Sequence, residues 1–78
     1  MSNPTIDPQE MHKAMGEKIR RLRLERGWSQ TQMAELSGID DGHLGQIERG
    51  EATVHLSTLA KIVQTLETTA ADLFEGIA

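Results

Sequence analysis

The feature that most constrains this chain is a pair of helix-start signals flanking one glycine, within Trp28 to Gly50 (WSQTQMAELSGIDDGHLGQIERG). Ser29 is placed to N-cap a helix, and Gln32 stands three residues on, where a capping-box partner belongs. Met33, Ala34 and Leu36 supply apolar residues to that helix. Gly38 then offers a backbone free to turn sharply, and Ile39 is positioned to plug the corner. Asp40 is a second N-cap. It opens a helix that buries Leu44 and Ile47 at i and i+3. The stretch reads as two short helices, about 30–37 and about 41–49, joined by a tight turn.

The flanking sequence is helical too. Asp7-Pro8 followed by Glu10 is a cap, a proline at the first helical position and an acid in the first turn. The first helix runs to about Arg26, with Met11, Met15, Ile19 and Leu22 forming one buried stripe and Gly27 as its C-cap. Beyond a loop at Glu51 to His55, a helix over about 56–66 is expected to bury Leu56, Leu59, Ile62, Val63 and Leu66. Thr69 with Asp72 repeats the capping-box pattern and starts a short helix carrying Leu73 and Phe74. No strand alternation, internal repeat or low-complexity segment is visible. The expected fold is therefore all-α: a compact five-helix domain over residues 8–78, preceded by a flexible arm at residues 1–7.

Composition narrows the function classes. The 78 residues contain no cysteine, so neither disulfides nor thiolate metal sites are available. No apolar run exceeds two residues, which argues against a membrane span or signal peptide and for a cytoplasmic setting. His12, His43 and His55 share no metal-ligand spacing. No nucleophile–base pair or phosphate-cradling glycine loop appears, so no enzyme, cofactor or metal is expected. The net charge of −4 is unevenly spread. Residues 10–27 carry six bases against three acids, whereas residues 28–78 carry two bases against eight acids.

Two helices joined in this way make a helix-turn-helix unit, here about 29–49, whose second helix fits a DNA major groove. The residues Ile19-Arg20-Arg21-Leu22-Arg23, Gly27-Trp28-Ser29-Gln30, Met33-Ala34, Ser37-Gly38-Ile39 and Ile47-Glu48-Arg49-Gly50 extend the pattern. Over about Gly16 to Phe74 the chain resembles the lambda-repressor-like (XRE/Cro) DNA-binding domains. Its small size is similar to the controller proteins of restriction–modification systems.

The resemblance implies a homodimeric, sequence-specific regulator whose partner is double-stranded operator DNA. Ser29, Gln30 and Thr31 would lie beside the phosphate backbone, with the N-terminal N–H groups of their helix. Asp41, Gly42, His43 and Gln46 would face the groove, and Arg49 would either reach phosphate or stand as a solvated surface arginine. Gln46 suits an adenine edge; Asp41, where the family commonly has Gln or Arg, can accept from cytosine N4. Gly42 and Gly45 lower helix propensity by roughly 0.8–1 kcal/mol each; they would either let backbone approach DNA closely or leave a weakened helix that tightens only on binding.

Arg23 and Glu48 resemble the family's structural ion pair, and Trp28 is expected in the core. Arg20, Arg21 and Arg26 would form either a phosphate-facing edge or a solvated face paired with Glu17 and Glu25. Phe74 and Ile77 are the candidate dimer contacts, and Leu24 and Leu36 fall near the surface. The acidity around Asp40 and Asp41 motivates a second reading, an antitoxin-like or regulator-binding protein-interaction module.

Overall fold

A computed structural model describes residues 7–75, and all regular structure among them is helical. The elements are α1 (Pro8–Glu25), α2 (Gln30–Ser37), α3 (Asp41–Glu48), α4 (Leu56–Leu66) and α5 (Ala70–Phe74). Of the expected arm, only Asp7 lies within the described residues, and it caps α1: its carboxylate accepts from the Gln9 N–H at 2.9 Å. Helix α1 stops at Glu25, one residue short of expectation. Arg26 is its C-cap, and Gly27 follows in the left-handed region at φ 73°. Helix α3 likewise ends at Glu48, with Arg49 as cap and Gly50 at φ 75°.

Ile19, Met33, Leu44, Ile47, Ile62, Leu66 and Leu73 are almost wholly buried, so every helix contributes to one core. Burial of that kind stabilises by about 1.5–3 kcal/mol per large aliphatic side chain. Two expected core residues lie outside it. Met11 is 38% exposed and Leu56 is 80% exposed. Helical spacing fixes which side of a helix faces inward, but not how far along its neighbours reach. Leu56 is the first residue of α4, ahead of the turns in which Leu59, Ile62, Val63 and Leu66 meet the core. Trp28 is half-buried and packs against the core from its edge.

The close crossing of α1 over the end of α3 was not legible in the apolar pattern. A Cβ on Gly16 would lie 2.6 Å from the Glu48 carbonyl oxygen and nearer still to that of Ile47. One on Gly50 would lie 2.6 Å from the Lys13 Cα. Glycine at these positions lets the two backbones touch, which sets the depth at which α3 sits.

The two capping boxes differ. At Ser29 both halves form: the hydroxyl accepts from the Gln32 N–H at 3.0 Å, and the Gln32 carboxamide accepts from the Ser29 N–H at 2.7 Å. At Thr69 only one half forms, the hydroxyl accepting from the Asp72 N–H at 3.1 Å. The Asp72 carboxylate accepts from the neighbouring Thr68 hydroxyl instead, at 3.0 Å. That alternative hydroxyl satisfies the acid outside the helix, so the backbone of the cap goes without it.

Candidate nucleic-acid interface

Local signals fix the angle between α2 and α3. The Gly38 N–H donates to the Ala34 carbonyl at 2.9 Å while its φ of 76° reverses the chain. The Ile39 N–H donates to the Ser37 hydroxyl at 3.3 Å, and the Ile39 side chain is buried beneath the corner. The Asp40 carboxylate then accepts from the His43 N–H at 3.2 Å and starts α3. Each bond satisfies a helix-end group that would otherwise need water.

This geometry brings the start of α2 against the start of α3. The Thr31 hydroxyl donates to the Asp41 carboxylate at 3.3 Å, and both residues are exposed. Gly42 and Gln46 are also exposed, and His43 is half-buried. Ser29 stands at the same edge with its hydroxyl committed to the cap. Arg49 projects from the far end of α3 and pairs with Glu51 at 3.1 Å, both side chains 57% exposed. A solvated pair of that kind contributes at most about 1 kcal/mol, which leaves Arg49 available to a stronger anion.

Beneath this surface, Arg23 and Glu48 join α1 to α3. Their fork-to-fork contact runs Nε to Oε2 at 2.7 Å and Nη2 to Oε1 at 2.9 Å. Nη1 donates to the Trp28 carbonyl at 2.8 Å. Both residues are buried, and among the described residues no buried side-chain polar atom lacks a partner. Such bidentate, charge-assisted geometry offsets desolvation only when it is this complete.

Gly45 differs from its expected role. It is buried rather than turned outward, and a Cβ there would stand 3.3 Å from the Gln30 Oε1 and 3.1 Å from the Arg49 Nη1. Gly45 therefore admits these two side chains, whereas Gly42 is exposed, with the Asp40 Oδ2 3.1 Å from where a Cβ would stand. Gln30 is half-buried, and its amide donates to the Glu48 Oε1 at 3.2 Å.

Arg26 belongs to neither expected setting. Its guanidinium donates to the Leu22 carbonyl at 2.9 Å and to the Leu66 carbonyl, closing the end of α4. Arg21 pairs with Glu25 at 3.9 Å on the exposed face of α1.

Phe74 is 42% exposed and lines a groove with Pro8, Met11, His12, Met15 and Val54; Ile77 lies outside the described residues. Leu24 and Leu36 are 50% and 60% exposed. No helix among the described residues is long and apolar enough to cross a membrane.

The helix-turn-helix family model matches residues 19–73, from the middle of α1 through α5. Control protein C.SmaI of Serratia marcescens is 34% identical over 68 residues, covering 87% of this chain and 81% of that protein. The HTH-type transcriptional regulator SutR of Escherichia coli (strain K12) is 44% identical over 48 residues, which are 62% of this chain but 27% of SutR. The restriction–modification controller protein C.Esp1396I, solved as a tetramer in complex with its natural 35 base-pair operator, superposes with a TM-score of 0.75. It is 28% identical, with 83% of this chain and 86% of that chain covered. The extent of the family match, over the elements that build the interface, places this chain in the helix-turn-helix family.

Proposed function

We propose that the protein is a sequence-specific DNA-binding transcriptional regulator that acts as a homodimer and inserts α3 into the major groove. The observation that carries this reading is the capped α3, with Asp41, Gly42 and Gln46 exposed beside the start of α2. Gln46 is assigned to an adenine edge and Asp41 to cytosine N4. The amide of Gln30, the Ser29–Thr31 segment and Arg49 are assigned to phosphate. His43 flanks these contacts, and Phe74 and Ile77 are assigned to the dimer. The protein performs regulation rather than catalysis, in the cytoplasm. The names of SutR and C.SmaI and the operator-bound C.Esp1396I tetramer support the same reading. A symmetric dimer doubles the few base contacts that one short helix can make.

The acidity that favours a protein-docking module is partly structural. Asp40 is committed to a cap and Glu48 to a buried pair, which leaves Asp41 as the carboxylate of α3 facing outward. The test is fluorescence anisotropy against the gene's own upstream DNA, with scrambled competitor, at two salt concentrations. Tight, sequence-dependent binding that weakens with salt is the expected result. Weak, sequence-indifferent binding by the folded protein would direct the search to a protein partner.

A further inference from the structure

The buried ion pair does not end at Arg23. The Glu48 side chain is 2% exposed, yet its Oε1 also accepts from Gln30, the first residue of α2. A continuous chain of hydrogen bonds thus runs from the Trp28 carbonyl through Arg23 and Glu48 to Gln30 at the interface.

This bond selects one orientation of the Gln30 amide. A carboxylate only accepts, so the Gln30 nitrogen must face Glu48; the flipped amide would set oxygen against oxygen. One N–H of the Gln30 Nε2 is committed inward, and the other remains free to donate. The carbonyl end rests over Gly45, where any side chain would press on it. The amide is held between a buried anion and a bare stretch of the α3 backbone. A donor fixed in this way binds without the ordering cost that a free glutamine incurs.

We infer that Glu48 is a positioning residue for DNA binding, orienting the Gln30 amide towards phosphate in addition to tying α1 to α3. The inference rests on the DNA-binding reading given above.

The test is a double-mutant cycle in operator affinity, measured where circular dichroism shows every variant folded. Gln30→Ala is expected to weaken binding by about tenfold, as for one hydrogen bond to a charged group. It should leave the salt dependence unchanged, because glutamine carries no charge. Glu48→Gln should weaken binding several-fold in the wild-type background, and by less than about twofold once Gln30 is alanine, the signature of coupled sites. Equal losses in both backgrounds, or no loss from Gln30→Ala, would overturn the inference.

A measurement on the unmodified protein covers the case in which Glu48→Gln does not fold. By nuclear magnetic resonance, one of the two Gln30 side-chain amide protons should exchange slowly with solvent and the other quickly. Fast exchange of both would overturn the inference. Failure of the folded wild-type protein to bind any operator DNA would instead overturn the DNA-binding reading itself, and this inference with it.

Discussion

Gly16 of α1 lies directly against the Ile47 carbonyl of α3, so that the two helices meet backbone to backbone. A Cβ at Gly16 would also stand 2.6 Å from the Glu48 carbonyl oxygen. Neither oxygen is at the end of a flexible side chain, so α1 and α3 would have to separate. Alanine in place of a mid-helix glycine otherwise gains up to about 1 kcal/mol. Here Gly16→Ala is expected to cost about 1–3 kcal/mol, the range for overpacking. Urea unfolding monitored by circular dichroism decides the sign, and a stabilised variant would contradict the crossing.

Glu48→Ala leaves the Arg23 guanidinium buried with only the Trp28 carbonyl as a partner. The expected loss is about 3 kcal/mol or more, typical of an uncompensated buried charge. Arg23→Met combined with Glu48→Leu should recover most of it, because no charge is then stranded. A midpoint unchanged by Glu48→Ala alone would show that the pair contributes nothing.

Arg26 is expected to affect stability and not DNA. Its guanidinium reaches the carbonyls of Leu22 and Leu66, joining the end of α1 to the end of α4. Arg26→Ala should cost roughly 1 kcal/mol, the scale of a lost hydrogen bond to a charged donor near a helix C-terminus. Operator affinity should stay within about twofold by that account. A larger loss, with a changed salt dependence, would assign Arg26 to phosphate after all.

Glu67 is the non-glycine residue in the left-handed region among the described residues, at φ 54° and ψ 44°, capping α4. A side chain there crowds the following carbonyl at a cost of roughly 1–2 kcal/mol. Glu67→Gly relieves that cost but gives the unfolded chain more entropy to lose on folding, for a net gain of about 0.5–1 kcal/mol. Thermal unfolding reports it directly, and a lower melting temperature would contradict the argument.

Salt dependence should be shallow. Arg49 is the one basic side chain between Ser29 and Gly50, so few phosphates are neutralised per half-site. Affinity is expected to fall about ten- to a hundredfold between roughly 50 and 200 mM salt, against about 10³–10⁵ for a protein making many phosphate contacts. A steep slope would bring the bases of α1, Arg20 and Arg21 among them, into the interface.

What the sequence by itself determined is local. The caps at Asp7, Ser29 and Asp40, the reversal at Gly38 and the helix order follow from hydrogen bonds that span only a few residues. Their partners are therefore visible as spacing. The helix-turn-helix unit, its family and the residues along its outer edge were legible for this reason. The inward side of each helix was legible too, from its period.

Only the tertiary structure decided what depends on neighbours distant in the chain. Gln30 meets Glu48 eighteen residues away, and Arg26 meets Leu66 forty residues away. The ends of the α1 and α4 stripes, at Met11 and Leu56, are left exposed, Met11 in the groove beside Phe74 and Leu56 at the first residue of α4. Gly45 reads in the sequence as a weak point of a helix, and Gly16 carries no signal there, because a missing Cβ shows its purpose only when another element occupies the space. Periodicity and capping record what a segment does to itself. Depth of approach, and the orientation of one amide at the start of α2, are set by surfaces that meet only after the chain has folded.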